Sequence, residues 1–250
     1  MKLDDLEALL DADTVEQVWA HLTAFMDGYG FDRLLYGYTR FRTANSFGDP
    51  QDLLILSNAD EVYVNGFINQ GLYFHAPMVR WAAENVGACS WRWISEMALR
   101  DGITEAERKV LNFNEAHAVT SGYSISFKDS SIRSKGALGL IARAGLTQDD
   151  VDAIWEEHGR KFMVICNVAH MRLTCLPYSG ARRSLTRRQK EALEWVGDGK
   201  TTQDIAQIMG LTPATVEKHL RLAREALNVE TTAQAVLKAS FQNQIFAVDG

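Results

Sequence analysis

Between Leu185 and Ala235 the chain is punctuated so regularly that it has room for little but four short helices. Thr186 is placed to start the first, with Ala192, Leu193 and Val196 along it and Gly197 and Gly199 to stop it. Thr202 precedes a second, which carries Ile205, Ala206 and Met209 and is closed by Gly210. Leu211-Thr212-Pro213 then supplies an N-cap followed by proline at the first helical position, where a missing N–H costs nothing. The third helix is expected to reach about Leu227, and Thr231 to cap a fourth. A helix, a tight turn near Gly210 and a second helix make a helix-turn-helix, whose later helix lies in the DNA major groove.

The third helix has two faces. Val216, Leu220, Ala223 and Leu227 recur at helical spacing and should pack on the first two helices. Glu217, Lys218, Arg221 and Arg224 point away, either as an ordinary solvated face or as contacts to bases and phosphates. Charge favours the contacts. Arg182, Arg183, Arg187, Arg188 and Lys190 precede the unit with no acid among them. Residues 181–250 hold ten basic and eight acidic residues, against 16 and 24 in the rest of a chain of net charge −6. A mildly basic end on an acidic body suits phosphate contact through that end alone. Thr212, Thr215, Glu217, Lys218, Arg221, Arg187 and Lys200 are the candidate DNA contacts.

The runs LTRRQ, DGKTTQDIA, GLTPATVEKHL and ALNVETTAQA closely resemble the C-terminal domain of LuxR-type (quorum-sensing) transcriptional regulators, without a gap over about 50 residues. Leu193 and Gly199 keep that family's residues, whereas Gln189 stands where the family usually has Glu. The resemblance puts the base-reading positions of the third helix on Glu217 and Arg221. Arg221 suits guanine and Glu217 can accept from cytosine. It also implies an N-terminal autoinducer-binding and dimerisation domain.

At 250 residues the chain can form one large or two modest domains. It shows no signal-peptide pattern and no apolar run of membrane-spanning length, and its three cysteines are scattered, so a cytoplasmic protein with reduced thiols is expected. No metal-ligand spacing, P-loop, dinucleotide fingerprint, nucleophile elbow or paired-carboxylate motif is present, so no cofactor, metal or catalytic residue is assigned and an enzyme is not expected. Helices are expected at Leu3–Leu10, Thr14 to about Asp27, 60–70, 77–86, from Thr104-Glu105-Ala106-Glu107 to about Val119, and Gln148–Leu173. Strands are expected at Leu34–Phe41, Asp52–Ser57, Tyr123–Phe127 and Ala137–Ala142. The interleaving suggests a mixed sheet flanked by helices. The fold class is therefore α+β, an α/β/α sandwich ligand-binding domain followed by an all-α four-helix helix-turn-helix domain. The expected division is 1–176 for sensing and dimerisation, 177–183 as linker, and 184–250 for DNA binding.

Tyr63, Phe67, Tyr73, Phe74, Trp81, Trp91 and Trp93 crowd into about thirty residues. They pack a core or line an apolar ligand cavity. Relatives that sense acyl-homoserine lactones carry a Trp, a Tyr four residues later, an Asp-Pro pair and a further Trp. By resemblance those positions are Tyr63, Phe67, Ala76, Pro77 and Trp91. In the family the Trp and Tyr donate to the lactone and amide carbonyls and the Asp accepts from the amide N–H. Here Phe67 cannot donate and Ala76 cannot accept, at roughly 1–3 kcal/mol for each buried group left unmet. His75, Asn69, Ser124 and Ser126 are candidates to compensate, Ser126 standing where the family often has proline. Tyr36 and Tyr38 face either the cavity or the core. Tyr63, Phe67, Ala76, Pro77, Trp91, Tyr36 and Ser124 are the candidate ligand contacts.

The expected function is a homodimeric regulator that senses a small apolar signal, acyl-homoserine lactone or otherwise, and binds operator DNA. RNA polymerase is a further expected partner, and no membrane is. The amphipathic stretch Asp149–Thr174 offers a dimer surface. The alternative is an orphan regulator of the same type that needs no ligand and whose N-terminal domain only dimerises.

Overall fold

The protein is described by a computed structural model over residues 3–43, 47–129, 131–178 and 184–246. Arg182 and Arg183, and the expected linker from 179 to 183, lie outside these residues. The chain divides into two compact units, one holding most residues up to Thr174 and the other everything from Cys175 onward with two short earlier segments. No helix among the described residues is long and apolar enough to cross a membrane.

The first unit opens with α1 (Leu3–Leu10) and α2 (Val15–Asp27), followed by β1 (Arg33–Thr39) and β2 (Leu54–Ser57). Then come α3 (Glu61–Val64), α4 (Pro77–Glu84), β3 (Gly87–Ser90), α5 (Arg92–Asp101) and α6 (Glu105–Ala116). Strands β4 (Gly122–Ser126) and β5 (Lys135–Ile141) precede the long α7 (Gln148–Cys175). The capping box at Thr104 and Glu107 starts α6 as its pattern predicts. The helix stops short of Val119 because Ala118 takes a left-handed backbone, φ 53°. The sheet runs β2-β1-β5-β4-β3, and every neighbouring pair is antiparallel. The expected mixed sheet is thereby corrected: each strand returns beside its partner in the opposite direction, and no parallel crossover is made. Sequence reading also assigns nothing to β3 and α5.

Side-chain volume is unequal on the two faces of this sheet. Leu34, Tyr36 and Tyr38 of β1 share a face with Leu138 and Leu140 of β5 and Tyr123 and Ile125 of β4. That face is covered by α7: Tyr123 stacks on Trp155 at 4.0 Å and Phe127 on His170 at 4.1 Å. On the other face the same strands present Leu35, Gly37, Ala137, Gly139 and Ser124. Along β1 and β5 the residues of the α7 face are buried, while Leu35, Gly37, Ala137 and Gly139 between them keep partial accessibility because they border an internal space.

The second unit holds α8 (Arg187–Gly197), α9 (Thr202–Met209), α10 (Pro213–Leu227) and α11 (Thr232–Phe241). Each begins on a threonine cap: Thr186, Thr201, Thr212 and Thr231. The cap of α9 is thus Thr201, which pairs with Asp204 in a capping box, and Thr202 is already helical. At α8 the Thr186 N–H donates to Gln189 Oε1 at 2.8 Å, so glutamine closes the box as glutamate would. Gly210 ends α9 in the left-handed region with φ 66°. Leu193, Ile205, Val216, Leu220 and Leu227 meet in one buried core.

The crowding on the α7 face is sharpest at Gly136, where an added Cβ would lie 2.5 Å from His170 Cε1. Gly136→Ala should destabilise the protein by about 1–3 kcal/mol in chemical denaturation. Gly139→Ala, whose Cβ would meet nothing nearer than Leu35 O at 3.8 Å, should leave stability equal or raise it by about 0.5 kcal/mol.

Candidate functional site

Helices α3 to α6 close over the small-residue face of the sheet and leave a largely apolar cavity of about 420 Å³. Its floor is Leu35, Gly37, Ala137 and Gly139. All seven candidate ligand residues border it.

Asp60 starts α3 by accepting from Tyr63 N at 2.8 Å, and the helix widens into a π-turn over Asn65–Asn69. The Tyr63 ring is stacked between Phe67, at 5.4 Å, and Phe113, at 5.5 Å. Gly66 makes the approach possible, since a Cβ there would lie 2.5 Å from Phe113 Cζ. Tyr63 donates its hydroxyl to Asn114 Oδ1 at 3.2 Å, and burial pushes its phenol well above the usual range, so it stays a neutral donor. Ala76 and Pro77 form the start of α4, both buried, and Ala76 brings a methyl group to the wall and no acceptor. The Trp91 indole donates to Ser124 Oγ at 3.0 Å. It lies against Gly122, where a Cβ would come within 3.1 Å of its ring.

Several expectations are revised by this geometry. Tyr36 borders the cavity, but its ring lies on the α7 face, with its hydroxyl 2.8 Å from His170 Nδ1. Tyr38 shares that face and meets His170 edge-on at 5.7 Å. The alternation of the strand decides both. His75 and Asn69 are exposed and do not border the cavity. Ser126 is committed elsewhere, donating to Ala82 O at 2.9 Å and Asn85 O at 2.6 Å. Of the clustered aromatics, Tyr63, Phe67, Tyr73 and Trp91 line the cavity, whereas Phe74 is 52% exposed. Sequence reading missed Leu111 and Asn114, which α6 sends to the cavity one turn apart. It also missed Gly37, Ala137 and Gly139, whose alternation along strands was the available signal.

On the second unit, Glu217, Lys218 and Arg221 are exposed along α10, and Thr212 and Thr215 stand at its start. The Thr212 hydroxyl caps Thr215 N at 3.2 Å and lies 2.9 Å from its hydroxyl. Glu217 accepts from Thr202 Oγ1 at 2.9 Å, and Arg221 pairs with Glu225 one turn on. Lys200 is exposed just before α9, and Arg187 opens α8 exposed. Arg224, expected on the free face, instead donates to Thr232 Oγ1 at 2.8 Å and joins α10 to α11.

Residues 14–173 match the family model for the autoinducer binding domain, and residues 183–239 that for bacterial regulatory proteins of the luxR family. The chain is similar to the transcriptional activator AnoR of Acinetobacter nosocomialis, with 23% identity over 240 residues covering 94% of this chain and 95% of that one. Its fold is similar to the crystal structure of Escherichia coli SdiA, with TM-score 0.57, 18% identity, and 98% and 97% of the two chains covered. It is similar also to CepR2 of Burkholderia cenocepacia, with TM-score 0.51, 18% identity, and 68% and 92% covered. The chain belongs to the LuxR family of transcriptional regulators, which are not enzymes, and joins an autoinducer-binding domain to the family's helix-turn-helix domain.

Proposed function

We propose that the protein is a homodimeric transcriptional regulator whose cavity takes a mostly apolar small-molecule signal and whose α10 reads operator DNA. The cavity is the observation that carries the sensing half: about 420 Å³ falls in the range of sites that engulf small ligands. Its wall offers Phe67 and Ala76 where an acyl-amide would need a donor and an acceptor. Two unmet groups at roughly 1–3 kcal/mol each would weaken such a ligand by two or more orders of magnitude. The signal is therefore a chain with few polar demands rather than an ordinary acyl-homoserine lactone. Among structural neighbours both chemistries occur: CepR2 is described as N-acylhomoserine lactone dependent, and SdiA has been solved with octanoyl-rac-glycerol.

For the DNA half, Arg221 and Glu217 read bases, and Thr212, Thr215, Lys218, Arg187 and Lys200 position the unit on phosphates. Two copies reading two half-sites supply the specificity that one short helix lacks. Helix α7, with Val164 and Met171 exposed, is the surface through which the copies meet. The stretch 177–183 serves as the linker between residues 1–176 and 184–250, and RNA polymerase is the partner at the promoter.

Arg221→Ala should weaken operator binding by about 1–3 kcal/mol and relax one base preference in a binding-site selection, with little change on random DNA. Equal loss on both would demote Arg221 to a phosphate contact. Octanoyl-glycerol should raise the melting temperature of the full chain, and a ligand at 100 times its Kd adds about 2.7 kcal/mol to native stability. Gly139→Leu, which fills the floor of the cavity, should abolish that shift and leave operator binding measurable by gel shift. A wild-type protein that binds DNA and shifts with neither octanoyl-glycerol nor N-octanoyl-homoserine lactone would point to the ligand-independent regulator instead.

A further inference from the structure

Of the described residues that border the cavity, Ser95, Glu115 and Thr120 are the exposed ones. Ser95 comes from α5, Glu115 from α6, and Thr120 from the stretch that leads into β4. Trp91 N donates to Gly122 O at 3.1 Å, which lays the start of α5 against residues 120–122. Val119 N reaches back to Asn114 O at 2.8 Å and keeps the end of α6 at the same place. The cavity meets water here, through a rim of two hydroxyls and a carboxylate. Among the described residues, none of these three side chains has a hydrogen-bond or ion-pair partner.

The inner wall is different. Tyr63 and Trp91 spend their donor hydrogens on Asn114 and Ser124, and the side chains of Phe67 and Ala76 carry no polar atom. The Tyr73 hydroxyl is closed off altogether. Lys135, the cation that borders the cavity, starts β5, whereas Gly122 pairs with Ile141 at the far end of that strand. At about 3.3 Å per residue the two ends of β5 stand roughly 20 Å apart. Lys135 Nζ also donates to Asn85 O at 2.9 Å. The rim therefore carries negative charge, and the positive charge lies well away from it.

We propose that the signal is an amphiphile with its alkyl chain in the cavity and its head at the rim, the head rich in O–H or N–H donors and free of negative charge. This rests on the cavity being a signal site, and it names the class of head that the rim selects. Glu115 accepts from such donors, whereas a carboxylate or phosphate would meet a like charge there. Ser95 and Thr120 add hydroxyls that donate or accept. A head at the rim keeps its contact with water. The inner wall then has only hydrocarbon to bury, and the absence of partners at Phe67 and Ala76 carries no penalty.

Full-length protein loaded with the apolar dye N-phenyl-1-naphthylamine is titrated with two competitors of one chain length, octanoyl-glycerol and octanoate. Wild type should prefer octanoyl-glycerol by about tenfold, from head bonds gained and charge repulsion avoided. Glu115→Gln keeps the shape of an exposed side chain and should tighten octanoate about threefold, the size of a surface charge interaction, while octanoyl-glycerol moves by less than about twofold. High salt should give the wild type the same gain for octanoate, because an exposed charge is screened. Ser95→Ala combined with Thr120→Val should weaken octanoyl-glycerol about threefold and leave dye affinity unchanged. Octanoate affinity that responds to neither Glu115→Gln nor salt would overturn the proposal, since the head would lie away from the rim. Octanoate binding as tightly as octanoyl-glycerol in the wild type would also overturn it and put the head beside Lys135. A wild type that takes the dye and neither competitor would overturn it while leaving an apolar binding site. A wild type that takes no dye, and whose melting temperature shifts with neither competitor, would overturn the sensing function as well.

Discussion

The pairing of β1 with β5 is the constraint from which the rest of the first unit follows. Two seven-residue strands lie side by side from Arg33 against Ile141 to Thr39 against Lys135. Because successive residues point to opposite faces, this register sorts Leu34, Tyr36, Tyr38, Leu138 and Leu140 to one side and Leu35, Gly37, Ala137 and Gly139 to the other. The bulky side is filled by α7, close enough that Gly136 has no room for a methyl group beneath His170. On the lean side the covering helices meet glycine and alanine, and the space those side chains do not fill becomes the cavity. Slipping the pairing by one residue would put tyrosines into the cavity and glycines against α7, so one register sets both the packing and the pocket.

The polar accounting of the cavity follows from the same arrangement. Residues that reach it from helices are hydrogen-bonded across to other elements, Tyr63 to Asn114 and Trp91 to Ser124, so this part of the wall is held rigid before any ligand enters. Rigidity of this sort favours discrimination by what a ligand leaves unmet. The face of α10 is arranged differently. Glu217 and Arg221 hold partners one side chain away, Thr202 and Glu225, which are exposed and weakly bound, and such contacts exchange readily for a base edge.

How much of this was legible in the sequence depended on whether a feature leaves a local mark. The helix-turn-helix unit is written almost entirely in neighbours: threonine caps, Pro213 and Gly210 mark its boundaries, and the one slip, Thr202 for Thr201, is a choice between adjacent identical residues. Helix α7 and the hairpin strands were visible from their apolar patterns. By contrast, Gly87-Ala88-Cys89-Ser90 makes a strand with no apolar alternation, because it is a short edge that borrows its order from β4. Helix α5 begins at Trp91 without a side-chain cap, so nothing announced it. The gathering of Tyr63, Phe67, Ala76, Pro77, Trp91 and Ser124 at one cavity was readable through resemblance. The side to which Tyr36 turns was not, since its direction is fixed by a partner strand about a hundred residues away.

That same distance has a consequence for how the protein is made. During synthesis β1 leaves the ribosome long before β5, and until then it has only β2 beside it, with its other edge open. Sheets that wait for distant partners fold slowly and expose aggregation-prone edges meanwhile. The four helices at the end of the chain, each capped within itself and packed on near neighbours in sequence, need no such wait. The half that emerges first is therefore the half that finishes its own structure slowly, its β1 edge unpaired until residue 141 arrives.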